Sequence, residues 1–126
     1  MKLKGHLITW KEEMSKSYLE RIAEALIKEA GLPEPIREFR FCEDRRWRSD
    51  FVWIFPPERF PLKGLILEIE GGIFSKSRHT SAKGFTADAE KYNEAALMGF
   101  IVLRVTKYHL ITGQAMKWVK RALDIS

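Results

Sequence analysis

Residues 65–72 read LILEIEGG, and the reading of this stretch decides the fold. Leu65, Ile66, Leu67 and Ile69 predict a buried strand, and the double glycine ends it. Side chains alternate along a strand, so Glu68 and Glu70 share a face with Ile66 while Leu65, Leu67 and Ile69 point the other way. Two carboxylates on one face of a core strand have two readings. One is an ordinary solvated face. The other is a site that needs clustered oxygen ligands.

Working outward, PPERFPLKG (56–64) turns the chain with three prolines and a glycine. The segment before it, WRSDFVWIF (47–55), is rich in aromatic and β-branched residues and predicts a strand. So short a connection predicts antiparallel pairing of these two strands. Asp50 shares a strand face with Arg46, Arg48, Val52 and Ile54, so pairing would bring it near Glu68. REFRFC (37–42) alternates as an earlier strand. Leu19, Ile22, Ala23, Leu26, Ile27 and Ala30 recur at helical spacing and predict a helix over 17–30, stopped by Gly31 and Pro33. Downstream, Thr86 is expected to cap a helix running to Met98, followed by Gly99 and a strand IVLRVT (101–106). Thr112 is expected to cap a last amphipathic helix carrying Ala115, Val119, Ala122 and Leu123. The order is α-β-β-β-α-β-α, which makes one α/β layer structure.

The 126 residues suit a single domain, with 45% hydrophobic and 31% charged residues. No apolar run approaches the roughly 20 residues that span a bilayer, and the first residues lack the apolar core of a secretory signal. A lone Cys42 excludes an intramolecular disulfide and points to a reducing compartment. Cys42, His6, His79 and His109 lack zinc-ligand spacing. Net charge is +5 and the pI about 9.4, compatible with a polyanionic partner. Asn93 and Gln114 are the only side-chain amides, a composition that hints at a thermophilic source.

Two or three clustered carboxylates repel one another unless a hard cation such as Mg²⁺ takes them as ligands. A polar, basic loop, GGIFSKSRHTSAKGF (71–85), follows the glutamates. Carboxylates to hold a metal beside lysines and arginines to hold phosphate is a phosphodiesterase layout.

The element order and the pattern Asp50, seventeen residues, Glu68-Ile69-Glu70 resemble the PD-(D/E)XK nuclease superfamily. The stretch SKSYLER (15–21) is similar to the first helix of its archaeal and phage-type Holliday junction resolvases. The resemblance implies a restriction-endonuclease-like αβββαβ core with a mixed central sheet flanked by helices, here with an extra C-terminal helix. It implies a Mg²⁺-dependent endodeoxyribonuclease, with Mn²⁺ as a substitute, in which a metal-activated water hydrolyses the phosphodiester. It assigns Asp50, Glu68 and the Ile69 carbonyl to the metal, joined by Glu20 from the first helix. In this chain Glu70 stands where the family has a lysine on its third strand. Lys91 in DAEKYNEAALMGF (88–100) resembles a lysine migrated to the next helix, with Lys76 and Lys83 as further candidates; Glu70 would then be an added ligand. Arg45, Arg46, Arg48, Lys76, Arg78, His79, Thr80 and Lys83 are the candidate DNA contacts, with His79 a base or a bystander. Trp10, Trp47, Trp53 and Trp118 are expected in the core or at a dimer contact.

The expected partner is DNA, a four-way junction above all, cut by a C₂ homodimer in a bacterial, archaeal or phage-infected cytoplasm. Two other readings stay open: a nicking, mismatch-repair or restriction-type enzyme of the same fold on duplex DNA, and a non-catalytic DNA-binding module.

Overall fold

A computed structural model describes residues 2–3, 6–7, 15–71 and 82–124. Two short strands, β1 (Lys2–Leu3) and β2 (His6–Leu7), pair antiparallel. Helix α1 (Lys16–Glu29) follows, then β3 (Ile36–Phe39), β4 (Ser49–Ile54), β5 (Gly64–Ile69), α2 (Ala82–Leu97), β6 (Phe100–Val105), α3 (Lys107–Ile111) and α4 (Gln114–Ala122). The main sheet has the order β3-β4-β5-β6. Its first three strands are antiparallel neighbours, whereas β5 and β6 run parallel. A parallel pair cannot close with a tight turn, and α2 supplies the crossover. The protein is therefore α/β, with a four-stranded mixed sheet flanked by helices.

Alternation sorts the side chains into two layers. Phe51, Trp53, Leu65, Leu67, Ile69 and Val105 face α1, α3 and α4, where they meet Tyr18, Leu19, Ala23, Ile27, Leu110, Ala115 and Val119. Each fully buried aliphatic side chain contributes about 1.5–3 kcal/mol, so this layer holds the larger share of the core. On the opposite face Val52, Ile66 and Phe100 pack with Phe41 and with Ala95 of α2. Among the described residues no helix is long and apolar enough to cross a membrane.

Two expected helix starts are corrected. Helix α2 begins at Ala82, and Thr86 lies inside it, its hydroxyl donating to the Ala82 carbonyl at 2.9 Å. The last helix is present as expected, but a short unexpected helix, α3, precedes it. Thr112 closes α3 instead of opening α4, and Gly113, at φ 85°, stands between them in a conformation that glycine adopts without strain. The strands are shorter than expected: β3 ends at Phe39, and Arg46, Trp47 and Arg48 precede β4. The described tryptophans are internal. Trp53 is buried and donates to the Pro33 carbonyl at 2.7 Å, while half-buried Trp47 stacks on Phe41 and half-buried Trp118 meets His109 with the rings tilted. Trp10 lies outside the described residues.

Candidate metal and phosphate site

The β4–β5 ladder pairs Phe51 with Leu67 and Val52 with Ile66, so the next step of the same register sets Asp50 opposite Glu68. Both are buried, at 4% and 2% exposure. The Asp50 N–H donates to Glu68 Oε2 at 3.4 Å, and the Ile69 N–H donates to Asp50 Oδ2 at 2.8 Å. The Ile69 amide thus supports the Asp50 carboxylate. Burial first, and then the neighbouring Asp50 charge, push the Glu68 carboxyl up to about 7, against the opposing pull of Lys91.

Two lysines compensate the pair from opposite sides. Lys91 reaches in from α2, with Nζ 2.7 Å from Glu68 Oε1 and donating to the Arg48 carbonyl at 2.7 Å. Ala95, one turn further along and 1% exposed, lets α2 lie close to the sheet and aims Lys91 across it. Lys16, at the start of α1, sits 3.2 Å from Asp50 Oδ1. Burial works to lower the Lys16 pKa, but Asp50 and then Glu68 outweigh it, and the net direction is up.

Glu20, one turn after Lys16, accepts from Arg37 at 2.9 Å. Burial and then Asp50 raise its pKa. Arg37 also pairs with Glu24 and donates to the Asp50 carbonyl at 3.0 Å, tying β3 to α1. Glu38 is the residue on β3 that faces Asp50 in register, and its φ of 53° breaks the ladder there. A left-handed glutamate costs roughly 1–2 kcal/mol, a strain of the kind that collects at functional sites. Carboxylate oxygens of Glu20, Glu38 and Asp50 lie within 4.8 Å of one another.

Glu70 is turned elsewhere. Its Oε1 accepts from Arg104, whose guanidinium lies 4.5 Å over the Tyr92 ring. Burial, then Glu68 and Glu70, hold the Tyr92 phenol far above its ordinary range, so it stays protonated.

Beside the carboxylates opens a recess of about 240 Å³, lined by Lys16, Arg46, Arg48 and Lys91 with Trp47, Tyr92 and Asp88 among the other walls. Lys83 is exposed in the first turn of α2, and Arg45 packs 4.6 Å over Trp47. Lys76, Arg78, His79 and Thr80 lie outside the described residues. Sequence reasoning missed Lys16, Glu38 and Arg37. Lys16 carried a faint signal, since it precedes Glu20 by four residues on a helix; Glu38 carried none.

The raised Glu68 carboxyl has a consequence for stability in metal-free buffer. Between its ordinary 4.5 and about 7 the folded protein binds more protons than the unfolded chain, so stability falls as pH rises through that window. The total is about 3 kcal/mol at 1.36 kcal/mol per pH unit. Glu20 acts in the same sense, whereas Lys16 keeps its stabilising contribution throughout this window and loses it only in strong alkali. Urea denaturation in EDTA at pH 5 and pH 8 should show the loss, and Glu68→Gln should remove most of it. A flat profile in the wild type would contradict the assignment.

No protein-family model, curated protein or solved structure matches the chain. What fold and site define is an α/β protein with a buried carboxylate pair at one end of its sheet, flanked by two lysines and a basic recess.

Proposed function

We propose that the protein is a Mg²⁺-dependent DNA endonuclease with a restriction-endonuclease-like core, acting on branched DNA such as a four-way junction. The observation that carries this reading is Lys91. Where the third strand offers Glu70, an ammonium from the next helix stands 2.7 Å from Glu68, beside Asp50.

The donor set fits a hard cation. Glu68 Oε1 is buried and, apart from the Lys91 charge, has no hydrogen-bond partner. Glu20, Glu38 and Asp50 bring three carboxylates together, the donor chemistry that Mg²⁺ takes. Asp50 and Glu68 would hold the ion, with Glu20 and Glu38 at the rim. When bound, it supplies Lewis acidity to the phosphoryl oxygen and the attacking water.

The chain's own residues do the rest. Lys91 is ion-paired with the Glu68 carboxylate and donates to the Arg48 carbonyl, which holds its ammonium at the wall of the recess with a donor left for substrate or water. Arg46 and Arg48 would neutralise flanking phosphates, as would Lys83 from α2. Two symmetric cuts in a junction would require a C₂ homodimer.

The test is incubation of the purified protein with junction, flap and duplex DNA in Mg²⁺ or EDTA. Symmetric Mg²⁺-dependent junction cuts are the expected result. Cleavage of plain duplex alone would keep the chemistry and overturn the substrate, and binding without cleavage of any DNA would overturn the chemistry.

A further inference from the structure

Lys16 is out of place by local rules. It occupies the first position of α1, where the helix dipole disfavours a cation, and the first turn of α1 has no acidic residue. The contact that offsets this is with Asp50. Asp50 Oδ2 accepts from the Ile69 N–H, and Lys16 Nζ sits 3.2 Å from the other oxygen, Oδ1. The Lys16 side chain is 46% exposed and also lines the basic recess with Arg46, Arg48 and Lys91.

We propose that Lys16 is a built-in counter-ion for the metal-free site, displaced from Asp50 by the divalent cation into the recess, where it binds a substrate phosphate. This rests on the metal-dependent reading above. Lys16 and a divalent ion would compete for the Asp50 carboxylate, and the half-exposed ammonium gives way at little cost because such pairs are weak. Its charge then reinforces the recess at the moment when DNA brings phosphates to it. The same residue screens two buried carboxylates without metal and adds a phosphate contact with it.

The experiment is calorimetric titration of Mn²⁺ into DNA-free wild type, Lys16→Met and Lys16→Gln. Losing the competing ammonium should tighten Mn²⁺ binding about fivefold in both variants, the factor for the upper end of a part-exposed ion pair. In Ca²⁺, fluorescence anisotropy with labelled DNA should show weaker binding, with the log–log salt slope smaller by about 0.9, one phosphate contact. Unchanged or weaker Mn²⁺ affinity in the variants, with the wild type binding, overturns the counter-ion role alone. An unchanged salt slope overturns the hand-over to phosphate. Absence of Mn²⁺ binding in the wild type removes the metal-dependent reading and this inference together.

Discussion

Asp50→Asn and Glu68→Gln should each lower DNA cleavage by about 10³-fold or more while leaving DNA affinity in EDTA within a few fold. A divalent ion supplies several kcal/mol of transition-state charge stabilisation, and each 1.36 kcal/mol is a factor of ten. Both variants are nearly isosteric with the wild type. An asparagine at 50 can still accept from the Ile69 N–H, and a glutamine at 68 still offers an oxygen toward the Asp50 N–H, so the end of the sheet keeps its ladder. At Glu68 burial and the Asp50 charge outweigh the Lys91 ion pair, so Glu68→Gln, which removes the disfavoured charge, should leave the metal-free protein melting higher than the wild type at pH 8. A variant more stable than its parent and yet inactive separates chemistry from folding. Cleavage retained in either variant would sink the site.

The part of this arrangement legible in the sequence follows from period-two alternation. A carboxylate in WRSDFVWIF and two in LILEIEGG, joined by a proline-rich turn, imply antiparallel strands with Asp50 near Glu68, and the register sets that pair opposite. The apolar repeat of α1 was equally plain, because Leu19, Ala23 and Ile27 recur on one helix face and all three are buried. What alternation cannot carry is direction at the edges. Glu38 points into the acidic cluster because its backbone turns left-handed, a choice that β3 makes against the intrinsic preference of glutamate. Arg37 was illegible for a related reason: it bridges α1 and β4 and packs 4.3 Å over Phe51, and each of those contacts depends on tertiary placement. The two misplaced helix starts share one cause. Thr86 and Thr112 resemble N-caps locally, but threonine can also turn its hydroxyl back to a carbonyl four residues earlier, as both do here. Glu70, by sequence the twin of Glu68, parts company with it because Arg104 on β6 is there to receive it.

Lys91→Met should reduce cleavage by about 10²–10³-fold, the range for loss of one preorganised charge at a reacting centre. The methionine keeps the length and packing of the lysine stem, so α2 should hold its place over the sheet through Ala95. The loss has two physical sources that must be told apart. One is the missing donor at the phosphate or water. The other is Glu68, whose carboxyl is held down by Lys91 against burial and Asp50; without the ammonium it climbs further and takes a proton, weakening cation binding. Raising Mn²⁺ to saturation and pH to 9 restores the second source and leaves the first untouched. A deficit that persists under those conditions assigns Lys91 to the chemistry. Full rescue by Mn²⁺ and alkali would make Lys91 only a guardian of the metal site. Wild-type turnover without rescue would pass the role to another lysine, Lys83 at the exposed start of α2 or Lys76, and would remove the observation on which the nuclease reading rests.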